Sequence, residues 1–227
     1  MQKPSSILIA AVCTVALVGC GGSSGSTALG SRNPQVRVVN AISNPASVSL
    51  AINSQTINGA APYGYASDYT VFNNGNRSIV VSDSTTGGAL LNTNELFELD
   101  HYYTVIAYRN GGGTYSEMKL SDVPALSGSD GQVRIVNVSN QTVDVYLTAV
   151  GADITGTVPT INDLTTGDTA QQYLIRTPGA YTVTVTNSDN QTILYTKNIS
   201  VTGREAQTVV VTGNAGTPIL ALPGRHF

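Results

Sequence analysis

Tryptophan is missing from this 227-residue chain, cysteine and histidine occur twice each, and charged side chains make up only 11% of it. A typical soluble domain carries about 25% charged residues, so broad electrostatic surfaces are excluded from the start. With 11 Lys+Arg against 14 Asp+Glu and no basic run, the chain lacks the cationic face that would neutralise several phosphates, and nucleic acid is excluded as a partner. His101 and His226 are too far apart, and thiols too few, to make the usual zinc ligand sets. Nor does any apolar run reach the roughly 20 residues of a membrane-spanning helix. What is abundant is threonine (27 residues) and asparagine (18), a composition that suits pleated strands joined by tight turns.

The longest apolar run, Ile7 to Val18, follows a short start whose only charge is Lys3 and leads into Leu17-Val18-Gly19-Cys20. This segment resembles the lipobox of a bacterial lipoprotein signal peptide. The resemblance implies removal of residues 1–19, a lipid on Cys20, and a mature chain without a free thiol, since Cys13 leaves with the signal. Gly21 in place of Asp after that cysteine implies the outer membrane, with the membrane met only through the lipid. Residues 20–34, rich in Gly and Ser, read as a flexible tether with a reach of about 20 Å.

The body of the chain repeats itself. Gln35-Val36-Arg37-Val38-Val39-Asn40-Ala41 returns as Gln132-Val133-Arg134-Ile135-Val136-Asn137-Val138. Tyr69, Gly75, Val81, Leu90, Thr104 and Val105 meet Tyr173, Gly179, Val185, Leu194, Thr208 and Val209 at one constant offset. Two copies of one domain follow, over 35–124 and 132–227, joined by a Gly/Ser linker at 125–131. Each copy alternates with period 2 between turn residues, which predicts an all-β chain of two tandem immunoglobulin-like or fibronectin-like antiparallel sandwiches. The expected strands are 35–40, 47–53, 66–72, 77–83, 88–97, 102–109 and 114–120, then 132–138, 142–149, 169–176, 180–186, 191–200, 206–212 and 217–222. Phe97 to Val105 resembles a tyrosine corner with Tyr103 aimed at the backbone upstream, while Gln207 stands at the matching place in the second copy. Each half is expected to hold its own packed core.

Val-Arg-Val-Val-Asn-Ala at the start, Tyr63-Gly64-Tyr65-Ala66-Ser67-Asp68-Tyr69, and Tyr102-Tyr103-Thr104-Val105-Ile106-Ala107-Tyr108 resemble the bacterial domain of unknown function numbered 4397. That family occurs in lipid-anchored or secreted proteins, often in tandem. The resemblance implies a fold and a place in the cell but no reaction, cofactor or catalytic residue.

No catalytic motif emerges from the residues themselves. Gly22-Ser23-Ser24-Gly25 lacks the spacing of a nucleophile elbow and lies in the tether, and Asp100-His101 reads as a solvated turn. Asn73 to Asn76, Asn187 to Asn190 and Ser127 to Gly131 are turns, the stretch around Asp130 being the best placed of them for calcium. Two features suggest recognition: tyrosines concentrated in the first copy, with Tyr63 and Tyr65 expected to be exposed, and the weakly patterned stretch 150–168 with Asp153, Asp163 and Asp168. The function expected is a non-catalytic binding, adhesion or structural module with an envelope polysaccharide or protein as partner. An envelope hydrolase acting on glycans or peptides, and a subunit of a surface assembly pairing by a sheet edge, are the alternatives.

Overall fold

The computed structural model describes residues 31–122, 128–169, 173–213, 216 and 218–226, all within one compact unit, Ser31–Phe227. Cys20, most of the tether and residues 125–127 of the linker lie outside the described residues. The described chain is all-β.

The first copy contains β1 (Gln35–Asn40), β2 (Ser47–Ile52), β3 (Gln55–Pro62), β4 (Thr70–Val71), β5 (Gly75–Asp83), β6 (Ala89–Phe97), β7 (Tyr102–Arg109) and β8 (Tyr115–Ser121). They form two four-stranded sheets, β3-β2-β5-β6 and β4-β1-β7-β8. The second copy contains β9 (Gly131–Asn137), β10 (Val143–Ala149), β11 (Ile161–Leu164), β12 (Asp168–Thr169), β13 (Leu174–Arg176), β14 (Gly179–Asn187), β15 (Ile193–Val201), β16 (Glu205–Val211), β17 (Ile219–Ala221) and β18 (Arg225–His226). Its sheets are β11-β10-β14-β15 and β12-β9-β16-β17, with β13 also on β9 and β18 on β16. Pairing is antiparallel except that β1 runs parallel to β7 and β9 parallel to β16, so the sheets carrying these pairs are mixed.

Alternation accounts for both sandwich cores. Val48, Leu50 and Ile52 of β2 meet Val36, Val38, Tyr103 and Val105 from the facing sheet, and Val143, Val145 and Leu147 of β10 meet Val133, Ile135, Val209 and Val211. The strands that escaped the sequence are those without an apolar period. β3 is polar along most of its length and forms because Asn53 and Ser54, both at positive φ, fold it back onto β2 in a two-residue turn. The expected strand 66–72 is reduced to β4 plus a single bridge from Ala66 to Val39; of the expected strand 169–176, Thr169 ends β12 and Leu174–Arg176 form β13, while residues 170–172 lie outside the described residues.

The tyrosine corner is present. The Tyr103 hydroxyl accepts from the Glu98 N–H at 3.3 Å, and its ring sits edge-on to Phe97 with centroids 5.2 Å apart. Tyr103→Phe should lower unfolding free energy by about 1 kcal/mol by leaving that N–H unpaired; an unchanged urea midpoint would show that the corner contributes nothing. In the second copy Gln207 brings no such bond, and its side-chain nitrogen is buried without a partner among the described residues.

The halves are not separate bodies. Val39, Ile106, Tyr108, Met118 and Leu120 of the first copy join Val136, Val138, Val210, Leu220 and Leu222 of the second in a third apolar cluster. These are the outward-pointing positions of β1, β7 and β8 and of β9, β16 and the strand end after β17. The sheets bearing the parallel pairs are therefore covered on both faces, as parallel pairing generally requires.

Candidate recognition surfaces

The joint between the copies is built from the repeat itself. Arg37 and Arg134, one residue before the inward valine or isoleucine of each motif, point out of their own sandwiches toward the other copy. Arg37 Nε donates to Thr104 Oγ1 at 2.7 Å and lies over the Tyr69 ring; Arg134 donates to Thr208 Oγ1 at 3.0 Å and lies over Tyr173. The two sets of Arg, Thr and Tyr are thus matching residues of the repeat. One acid serves both: Asp122 is in a buried salt bridge with Arg134 and accepts from Thr104 and, at 2.8 Å, from the Tyr69 hydroxyl. Arg37 instead donates to the Pro223 carbonyl at 2.8 Å. Burial, with Asp122 nearby, pushes the Tyr69 phenol well above its ordinary range. Gly64 and Gly167, both at positive φ, bond the carbonyls of Asn40 and Asn137 and let their loops close on Leu220 and Tyr108 of the opposite copy.

This joint claims the tyrosine expected to face a ligand. Tyr63 is half-buried against the third cluster with its hydroxyl bonded to Thr212 of the second copy, and Tyr65 is half-buried against the first core. Neither stands exposed, because the loop that carries them is the flap that seals β1 to the second copy.

The stretch 150–168 divides its three acids. Asp163 sits on β11 at positive φ with its N–H donating to Asp144 at 2.8 Å, and Asp168 pairs with Asn137 at the edge of the other sheet. Only Asp153 borders a concavity. Residues Gly151 to Ile154 stand over β14 and β15 and enclose a groove of about 440 Å³ with Thr182, Thr184, Ile193, Thr196, Asn198 and Lys197, whose ammonium donates to the Ile219 carbonyl. Asp153 accepts from the Thr155 N–H at 2.9 Å, which holds its carboxyl below the usual carboxylate range, and Thr182 donates to Asn198 at 2.8 Å. Tyr146 and Thr186, neighbours of Thr184 on this sheet, bury hydroxyls that find no partner among the described residues. The sequence signal for this face was Thr182-Val183-Thr184-Val185-Thr186, a strict alternation that puts hydroxyls on one side.

A second concavity, of about 360 Å³, lies at one pole of the joint. Ala41 follows β1, Arg109 closes β7, Val138 follows β9 and Thr212 follows β16, so both parallel pairs end at it. The chain arrives at the other pole, where Gln35 N donates to the His101 carbonyl at 3.0 Å.

Elsewhere the sequence candidates are engaged locally. Asp100 accepts from Arg32 N at 2.7 Å, and His101 contacts the Leu99 carbonyl and stacks on Tyr103. The Asp130 carbonyl accepts from Arg204 N at 2.9 Å, and no group of three metal-ligating side chains occurs among the described residues.

The family model described as domain of unknown function (DUF4397) matches residues 34–148. The chain belongs to this family. The DUF4397 match spans the whole first sandwich and continues through β9 and β10, past the point where the sequence repeats. No curated protein is similar to the chain. Among solved structures, it is similar to CBMbc (family CBM26) from Eubacterium rectale Amy13K in complex with maltoheptaose, at 15% identity and TM-score 0.26, over 78% of this chain and 91% of that one. It is also similar to a structure described as alpha-glucan binding by a streptococcal virulence factor, at 12% identity and TM-score 0.29, over 83% of this chain and 96% of that one. At those scores neither likeness assigns a ligand to this DUF4397 protein.

Proposed function

We propose that the protein is a non-catalytic recognition module of the bacterial envelope, anchored to the outer membrane through a lipid on Cys20, that holds a neutral glycan in the groove beneath residues 151–154. The observation that carries this reading is the row of Thr182, Thr184, Thr196 and Asn198 on a rigid sheet, facing Asp153 across a groove that also offers Ile154 and Ile193. Hydroxyls, an amide and one carboxylate match the alternating donors and acceptors of a sugar, and the two aliphatic side chains match the apolar face of its ring. Loops carried on a rigid scaffold are the usual seat of binding.

Edge pairing into a surface assembly has less support. Lys119 Nζ donates to the Leu96 carbonyl on the edge strand β6 at 2.8 Å, and Lys197 Nζ donates to the Ile219 carbonyl on β17 at 2.9 Å. Lysines placed this way occupy edge groups and oppose the docking of another strand.

Calorimetric titration with malto-, cello- and chitooligosaccharides tests the groove. Thr184→Val with Asn198→Ala should weaken the best of these about tenfold or more, roughly 1.4 kcal/mol or above, while leaving the denaturation midpoint within error. Absence of binding by the unaltered protein, or turnover of the oligosaccharide, would sink the reading.

A further inference from the structure

The cleft at the pole of the joint differs from the groove in its charge and in its fittings. Its rim is made of Ser43, Asn110, Asn140 and Thr212, its apolar lining is confined to Ala41 and Val138, and Arg109 is the single charged side chain that faces it. Arg109 is held in place: its Nε donates to the Gly113 carbonyl at 2.9 Å and its guanidinium lies over the Tyr115 ring, 5.6 Å from the centroid. Tyr115 is fixed in turn by its hydroxyl, which donates to the Asn44 carbonyl at 3.2 Å. The terminal nitrogens of Arg109 carry no hydrogen bond among the described residues. A guanidinium with one edge and one face already committed presents its remaining N–H groups as a ready fork for a carboxylate, with little rotamer freedom left to lose. No acid lines the cleft to compete for it.

The floor is made by the close approach of the two copies. Across the copies, a Cβ on Gly111 would come within 3.1 Å of the Asn140 side chain; within the second copy, one on Gly213 would come within 2.9 Å of Ser139. These glycines leave a shallow polar trough with backbone exposed along it, and neither half possesses that trough without the other. The hairpin that carries it is itself ordered, because Asn110 Oδ1 accepts from the N–H groups of Gly112 and Thr114.

We propose that this cleft is a second binding site, which takes an acidic polysaccharide and receives one uronic-acid carboxylate on Arg109. One fixed cation suits one carboxylate per repeat unit and falls short of what a polyphosphate or nucleic acid needs. A protein partner is disfavoured, since protein interfaces are anchored by buried aromatic or long aliphatic side chains and this trough has no pocket for one. Asn110, Asn140 and Ser43 supply donors and acceptors for the hydroxyls that a sugar ring presents on either side of its carboxylate. The site lies about the length of β1, roughly 20 Å at 3.3 Å per residue, from the pole that holds Gln35.

The test is calorimetric titration of the purified full-length protein with trigalacturonate and with its fully methyl-esterified form, at low and at moderate salt. The acid should bind at least tenfold more tightly than the ester, with an advantage that shrinks as salt rises. Arg109→Gln should abolish the difference. Arg109→Lys, which restores charge but not the fork, should recover only part of it, and serves as the readout if the glutamine variant does not fold. Equal affinity for acid and ester, retention of the preference by Arg109→Gln, or no binding of either form by the unaltered protein would overturn the proposal. Thr184→Val with Asn198→Ala should leave uronate binding intact. Neutral-glycan binding that survives Arg109→Gln while uronate never binds would overturn this site alone, and the converse would overturn only the groove.

Discussion

Asp122→Ala should remove about 3–5 kcal/mol from the stability of the protein, the largest loss expected of any single polar replacement in it. Arg134 and Asp122 are both almost fully buried, with side chains 7% and 3% exposed, and the carboxylate also accepts from Thr104 and Tyr69. Deleting the acid leaves a guanidinium inside the protein without a counter-ion, which costs far more than the pair contributes when intact. Guanidinium denaturation followed by tyrosine fluorescence measures the loss. Because this acid ties the copies together, the variant should also unfold over a broader range or in two steps where the unaltered protein shows one. Asp122→Ala combined with Arg134→Met should recover most of the deficit, since an apolar side chain of similar length fills the space without a charge to desolvate. A single replacement that costs under about 1 kcal/mol would mean that the apolar cluster alone joins the halves.

Cys20→Ala should transfer nearly all of the protein from the membrane fraction to the soluble one. The prediction rests on the proposed lipidation. Each buried methylene of an acyl chain contributes about 0.8 kcal/mol, and stable anchoring requires more than one chain, which the diacylglycerol and the added amide-linked acyl group would supply. The run Ile7 to Val18 is shorter than a span and would be removed with the signal. Among the described residues no helix is long and apolar enough to cross a membrane. Cell fractionation with a blot against the protein reads the outcome; a variant that stays with the membranes and resists carbonate washing would end the lipoprotein reading.

Strands were legible where side chains alternate strictly. β2, β7 and β14 each carry apolar residues at every second position, which the pleat sends to the sandwich core; β2 is buried on that face alone, whereas β7 is buried on both. Tyr103 was placed inward on the same grounds, and its bond upstream followed from the resemblance to a tyrosine corner. β3, β11 and β18 carry too little apolar pattern to be seen, because they exist by hydrogen bonding to a neighbour already in place. The candidate surfaces were partly legible. Asp153 was singled out and borders the groove, but Thr184 and Asn198 belong to strands far away in the chain, and Arg109 ends a strand with no pattern that marks it.

The sequence by itself determined the all-β class, the repeat and both sandwich cores, since alternation and internal similarity act through neighbours along the chain. Tertiary structure alone decided what the outward faces of β1 and β9 do. Arg37-Val38-Val39 and Arg134-Ile135-Val136 place apolar side chains on both sides of a strand, and a one-dimensional pattern cannot say whether the outer set meets solvent, another molecule or the second copy. Packing the copies against each other settled that: it buried Val39 with Val136, paired Arg134 with Asp122 of the first copy, drew Tyr63 out of solvent and opened a cleft that neither copy forms alone. Such features depend on contacts between the two copies, which only the folded chain brings together.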